Sequence, residues 1–221
     1  MKAMILAAGR GERLRPLTDH TPKPLIDVGG QPLIGHHLQA LAEAGFEEVV
    51  INVAYLGEQI IAALGDGSRW GLRIVYSRET PGALDTGGGV CNALALLGEA
   101  PFALISADVF TDFDYAQLRD VPATARVHTV LVDNPEHHAA GDFGLSDGRL
   151  VDAEPRLTYA GVGVYTPASF AGRGVQRFPL VAVIREALAA GLASGEYHAG
   201  GWIDVGRPSA LEAARAWAMR A

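Results

Sequence analysis

Residues 6–18 read Leu-Ala-Ala-Gly-Arg-Gly-Glu-Arg-Leu-Arg-Pro-Leu-Thr and combine two features that hold a polyphosphate. Small residues at Ala7, Ala8, Gly9 and Gly11 let the backbone wrap closely around a ligand and aim its N–H groups inward. Arg10, Arg13 and Arg15 add guanidinium forks. The run lacks the third glycine of a dinucleotide fingerprint and the Gly-Lys-Ser/Thr ending of a P-loop, so by itself it reads as a tight turn with solvated arginines. Asp108, just past the apolar run Phe102–Ser106, and Asp204, in Gly201-Trp202-Ile203-Asp204-Val205-Gly206, are each most simply turn or cap residues. As a pair they suit magnesium, which takes one or two carboxylates and fills its sphere with waters and substrate phosphates. Thr86 is followed by Gly87, Gly88 and Gly89 at the start of a helical stretch. Glycine there costs about 1 kcal/mol per residue relative to alanine, so close packing or a ligand must require it.

The elements that position these residues alternate. Strands are expected at Lys2–Ala7, Glu48–Val53, Leu72–Tyr76 and Phe102–Ser106, and helices at Pro32–Ala44, Leu56–Leu64 and Thr86–Leu97, the first closed by Gly45. Such alternation predicts right-handed βαβ units and a mostly parallel sheet covered on both faces. Ligands of such sheets bind outside the carboxyl ends of the strands, which puts Ala8–Arg15 and Asp108 on one rim. The second half is less regular. Strands are expected at Arg126–Val132, Thr158–Tyr165 and Trp202–Val205, a hairpin around Asp147-Gly148, and a helix at Pro179–Ala190. A last helix is expected to start at Ser209, with Glu212 completing a capping box.

The chain has 221 residues, 49% hydrophobic and 19% charged, which suits one α/β domain, 1–221. Its first part, 1–110, would mainly bind nucleotide, and 111–221 would mainly wall the second substrate. A net charge of −7 argues against nucleic-acid or acidic-membrane partners. The lone Cys91 excludes an internal disulfide. The apolar start reads as a buried strand, and no run approaches the ~18 apolar residues of a membrane helix, so a cytoplasmic protein is expected. His36, His37, His137 and His138 lack zinc spacing and read as solvated surface residues.

Gly9-Arg10-Gly11-Glu12-Arg13-Leu14-Arg15-Pro16-Leu17-Thr18, followed by Thr21-Pro22-Lys23-Pro24-Leu25, resembles the signature of sugar-phosphate nucleotidyltransferases. The resemblance spans nearly the whole chain. It implies a Rossmann-like three-layer α/β/α fold with a mostly parallel mixed central sheet. It also implies an enzyme that joins a nucleoside triphosphate to a sugar-1-phosphate with Mg2+ and releases pyrophosphate. By this resemblance Leu6, Ala7, Ala8 and Gly9 hold the nucleoside, Gly11 and Arg13 the β- and γ-phosphates, and Lys23 the α-phosphate. Thr86 and Gly87 lie against base and ribose, and Arg78 and Glu79 line the base edge. Asp108 and Asp204 hold the metal. The catalytic set is then Arg13, Lys23, Asp108 and Asp204, while Asp142, Gly144, Glu154 and Gly161 approach the sugar phosphate.

Two departures stand out. Ser106-Ala107-Asp108 has alanine where the family has glycine, and the sugar-side stretches read Glu154-Pro155-Arg156 and Ala160-Gly161-Val162-Gly163. The short length, Thr86-Gly87-Gly88-Gly89, Asp133-Asn134-Pro135-Glu136-His137-His138 and Trp202-x-Asp204-Val205-Gly206 are most similar to N-acetylmuramate-1-phosphate uridylyltransferases. That similarity implies UTP and a role in cell-wall sugar recycling. Heptose- or mannose-1-phosphate guanylyltransferases are the alternative within the family. A non-catalytic nucleotide-sugar-binding regulatory subunit is the alternative outside enzymes.

Overall fold

The computed structural model describes residues 1–79 and 84–220. Strand β1 (Lys2–Leu6) is an unbroken apolar run because both its faces are covered: Ala3, Met4 and Ile5 are fully buried. A two-stranded ribbon, β2 (Asp27–Val28) and β3 (Gln31–Pro32), leads into helix α1 (Leu33–Glu43). Then follow β4 (Glu48–Val53), α2 (Gly57–Leu64), β5 (Arg73–Arg78), α3 (Asp85–Leu97) and β6 (Phe102–Ser106). Strands β5, β4, β1 and β6 lie side by side, all parallel. Successive side chains of a strand point to opposite faces. Ala3 and Ile5 therefore join a core with Ile34, Leu38 and Leu41 of α1 and Ile60 and Leu64 of α2. Met4 instead meets Val90, Ala93 and Leu97 of α3 on the other side.

The second half extends the same sheet. After β7 (Val109–Thr111) come β8 (Val127–Val132), β9 (Phe143–Ser146), β10 (Arg149–Val151) and the ten-residue β11 (Arg156–Tyr165). Helix α4 (Val181–Ala189), β12 (Ala193–Tyr197), β13 (Trp202–Asp204) and α5 (Pro208–Ala218) complete the described chain. The nine-stranded order is β5-β4-β1-β6-β11-β8-β12-β10-β9, with β11 antiparallel to both β6 and β8 and also paired to β9. The result is a mixed sheet, parallel across β5, β4, β1 and β6, between two layers of helices. Among the described residues no helix is long and apolar enough to cross a membrane.

Two strands, β7 and β13, stand off the main sheet and pair antiparallel with each other, Asp204 opposite Val109. Beneath them a third core joins Leu14, Ile26, Val28 and Leu33 to Phe110, Val205, Leu211 and Ala214. Phe110 meets Trp217 edge-on at 4.8 Å. The phosphate-type loop, the strand after Asp108 and the last helix thus share one apolar anchor.

The last helix corrects one expectation. It starts at Pro208, with Arg207 extended at φ −140, ψ 156 and no side-chain cap. Proline suits the first helical position, where the missing N–H needs no partner, and it keeps the preceding residue out of the α region. Ser209 therefore lies inside the first turn, and Glu212 pairs with Arg215 at 2.8 Å instead of closing a box.

Candidate active site

At the carboxyl ends of β1, β4, β5 and β6 a cavity of about 270 Å³ is lined by Leu6, Ala7, Ala8, Gly9, Lys23, Asn52, Glu79, Thr86 and Asp108. Its floor is built on Asn52. The Asn52 Oδ1 accepts the Ala7 N–H at 2.7 Å, and Nδ2 donates to Glu79 Oε1 at 2.7 Å. The Glu79 Oε2 in turn accepts the Leu84 N–H at 3.3 Å. One buried amide thereby fixes the end of β1, the end of β5 and the entry to α3. Sequence reasoning missed Asn52. Its signal was one polar side chain within Glu48-Val49-Val50-Ile51-Asn52-Val53, an otherwise apolar strand after its first residue.

The glycine run has a different reason at each position. A Cβ at Gly87 would enter the Phe178 ring, and one at Gly88 the Gln176 carbonyl, while the Gly87 N–H donates to the Phe178 carbonyl at 3.0 Å. Both serve packing against the segment before α4. A Cβ at Gly89 would lie 2.7 Å from Glu79 Oε1 and 2.8 Å from Asn52 Nδ2. Alanine in a helix gains about 1 kcal/mol over glycine, whereas overpacking here costs roughly 1–3 kcal/mol and displaces the pair that shapes the floor. The clash wins. Gly89→Ala is expected to lower stability in urea titration and to raise the KM for nucleotide several-fold. An unchanged KM would separate the pair from nucleotide binding.

Lys23 sits in a 3-10 turn, Lys23–Leu25, entered from an extended Pro22. Its side chain is 9% exposed, and Nζ meets Asp108 Oδ2 at 2.8 Å. The β7–β13 pairing brings the second carboxylate alongside: the Val205 N–H donates to the Asp108 carbonyl at 2.8 Å. Arg13 Nη2 lies 3.8 Å from Asp204 Oδ2. Each carboxylate therefore faces one of the chain's own cations, in the place a divalent ion would neutralise. Among the described residues no third acidic, histidine or cysteine ligand joins them. Two carboxylates completed by waters and phosphates fit magnesium rather than a closed protein cage. Ala107 replaces the family glycine without strain. Its N–H donates to the Leu6 carbonyl at 3.1 Å, and its φ is not positive.

Asp108 also borders a second cavity, of about 360 Å³, lined by Arg13, His137, His138, Thr158, Tyr159, Gly161, Trp202 and Asp204. Gly161 bends β11 at a register shift between Tyr159 and Gly163, with φ +74. A Cβ there would press on Ser106 Oγ at 2.8 Å. Two cavities thus meet at one aspartate, with a lysine beside it and a second carboxylate across a two-residue backbone link.

A family model described as nucleotidyl transferase matches residues 2–149. The chain belongs to this family. The N-acetylmuramate alpha-1-phosphate uridylyltransferase of Neisseria meningitidis serogroup B is 48% identical, covering 99% of this chain and 98% of its own. The mannose-1-phosphate guanylyltransferase of Mycobacterium tuberculosis is 33% identical over 91% of this chain but 58% of its own length. Among solved structures, a candidate glucose-1-phosphate thymidylyltransferase from Bacillus anthracis, in complex with a sucrose, superposes with a TM-score of 0.90. It is 19% identical and is covered to 96%, with 100% of this chain. That likeness carries the fold alone.

Several residues expected at the site of this nucleotidyltransferase are placed otherwise. Arg78 turns away from the first cavity and pairs with Glu58 of α2. Gly11, at φ +65, lines neither cavity; its bare Cα lets Thr18 and Lys23 pack close. Gly144 is held between Val151 and the Ala153 carbonyl within the β9–β10 hairpin. Glu154 lies on an exposed turn against Arg156. Asp142 lines neither of these cavities, yet its Oδ2 accepts the Tyr159 N–H at 2.8 Å and its Oδ1 holds His138 Nε2 at 3.0 Å. Arg13 lines the second cavity rather than the first.

His36 and His37 correct the solvated reading, while His137 is exposed as expected. His37 is buried, its Nδ1 hydrogen-bonds the Tyr115 hydroxyl at 2.7 Å, and burial pushes its pKa down to about 4, leaving it neutral. His36 bonds the Val28 carbonyl at 2.8 Å through Nε2. His137 and His138 face the second cavity.

Proposed function

We propose that this nucleotidyltransferase transfers a uridylyl group from UTP to N-acetylmuramate-1-phosphate, releasing pyrophosphate. The observation that carries the reading is the meeting of two cavities at Asp108, together with near-full-length identity to a uridylyltransferase of that sugar. UTP occupies the cavity over Ala7, Asn52, Glu79 and Thr86, and the sugar phosphate the cavity beside His138 and Gly161. The attacking atom is a phosphate oxygen of the sugar. A phosphate monoester has a second pKa near ~6 and is mostly dianionic at neutral pH, so no general base is needed. Catalysis rests on alignment and charge neutralisation. Lys23 moves from Asp108 to the α-phosphate and strengthens its contact as charge develops there. Arg13 steadies phosphate oxygens between the two cavities. Asp108 and Asp204 would hold magnesium, which would supply the remaining positive charge. The reaction is assigned to the cytoplasm, in the recycling of a cell-wall sugar.

The test is pyrophosphate release from UTP, GTP, ATP and dTTP against a panel of sugar-1-phosphates. UTP with N-acetylmuramate-1-phosphate should give the highest kcat/KM, and a chelator should abolish it. Preference for GTP with a mannose or heptose phosphate would overturn both substrate assignments. Binding without turnover of any pair would make the protein a regulatory subunit.

A further inference from the structure

Past His137 the sugar-side cavity continues into a cleft of about 290 Å³ that shares Asp204 and His137 with it and is otherwise lined by Glu136, Arg207, Ser209 and Ala210. Arg207 follows Asp204 by three residues, on extended backbone before α5. It is exposed, and among the described residues it has no acidic partner within salt-bridge distance. The first-described functions leave this cation unused. His137 stands where cavity and cleft join, its Nε2 4.0 Å from Asp204 Oδ2 and without a hydrogen bond among the described residues.

The loop bearing His137 is held from several sides. The Asn134 Nδ2 donates to the Ala139 carbonyl at 3.1 Å and to the Arg156 carbonyl at 2.9 Å, and the Thr158 hydroxyl donates to Asn134 Oδ1 at 2.8 Å. Asp142 fixes the neighbouring His138 to the β11 backbone. The wall is therefore built before ligand arrives, which reduces the ordering cost of binding.

We propose that Arg207, with His137 at the mouth of the cleft, reads a carboxylate on the substituent of the sugar and so sets sugar specificity. A guanidinium offers a planar fork that matches a carboxylate in two parallel bonds, and an imidazole presents an N–H to the same anion in either charge state. Glu136 lines the same cleft and opposes the anion. It caps the affinity, and its removal strengthens the preference. Asp204 is committed to Arg13 and the metal. The inference rests on the sugar assignment given above, because N-acetylmuramate differs from N-acetylglucosamine by a carboxylate-bearing ether.

The experiment compares kcat/KM for N-acetylmuramate-1-phosphate and N-acetylglucosamine-1-phosphate, both with UTP, in the wild type and four variants. Calorimetric binding of each sugar phosphate gives a readout apart from turnover. Arg207→Ala should reduce the preference for the muramate about tenfold or more, the worth of a hydrogen bond to a charged group, and leave the glucosamine reaction within about twofold. His137→Gln should act in the same direction and less strongly. Arg207→Lys should keep part of the preference, and Glu136→Gln should raise it. Arg207 is exposed and its side chain makes no bond among the described residues, so the melting temperature should not move. A wild-type preference that survives in Arg207→Ala overturns the proposal and leaves the sugar assignment standing. Equal loss on both sugars also overturns it, since Arg207 would then serve the common phosphate. A wild type that does not prefer the muramate removes the sugar assignment and this inference with it.

Discussion

Asp108→Asn is expected to lower turnover by about 10²-fold or more and, unlike Asp204→Asn, to lower the melting temperature of the ligand-free protein as well. The loss of rate follows from removing one charge-placing group at the transition state. The difference in stability follows from what each carboxylate faces. Asp108 pairs at 2.8 Å with a lysine whose side chain is only 9% exposed. An asparagine there leaves an ammonium largely out of water without its counter-ion. Such an orphaned donor costs roughly 1–3 kcal/mol, moderated because Asp108 itself is 41% exposed. In a chain of this size that is a fall of several degrees. Asp204 faces Arg13 at 3.8 Å, and that arginine is 57% exposed, so the contact contributes almost nothing to folding. Both variants should therefore lose activity while only one loses stability. Thermal melts without ligand, set beside pyrophosphate-release rates, decide it. Equal melting temperatures would mean the Lys23 pair is not formed in solution, and near-normal rates in either variant would remove that aspartate from the catalytic set.

Lys23→Arg is expected to cut kcat by about 10²-fold although charge is retained, and Lys23→Ala to cut it at least as far. Sixteen of the 18 basic residues of this chain are arginine, so the lysine here is a choice against the local habit. The structure shows the constraint. Pro22 and Pro24 fix the backbone on either side, and Gly11 lies so near that a Cβ added there would be 3.1 Å from the Lys23 Cβ. A compact ammonium on a thin stem fits this slot and can pass from carboxylate to phosphate. A planar guanidinium needs more width and a two-pronged partner. Lys23→Ala should cost less stability than Asp108→Asn, because the stranded carboxylate can be hydrated and a stranded buried ammonium cannot. The double variant should be no slower than the worse single one if the paired residues act as one unit. Normal kcat in Lys23→Arg would leave Lys23 a structural residue.

The parallel half of the fold was legible because its strands and helices carry the hydrophobic period that their burial demands, and the strand ends then placed Ala8 and Asp108 on one rim. Strand β12 was not legible. Its sequence, Ala-Ser-Gly-Glu-Tyr, has little strand propensity, and it pairs because the edge of β8 requires a neighbour. Gly195 sits against the β8 backbone, where a Cβ would reach 3.0 Å from the Thr129 carbonyl. On the site, the resemblance pointed to Lys23 and the two aspartates, and the fold brings the three to one rim. Arg78 was not, because which way an exposed side chain turns depends on a partner, Glu58, on another element. His36 and His37 were misread for a related reason: a local pattern cannot tell a polar residue facing water from one facing Tyr115 or the Val28 carbonyl.

The short pairing of β7 with β13 has a consequence for how the molecule comes to life. Asp108 and Asp204 lie far apart along the chain and become neighbours only when that pairing closes, over an apolar anchor shared with the signature loop and the last helix. Contacts so distant in sequence carry a large closure entropy and form late. The first cavity is lined by residues 6–108 and uses neither strand of that pair. During synthesis and refolding, then, nucleotide recognition should appear first and turnover last. A chain in which that pairing has not yet closed would hold its donor without consuming it.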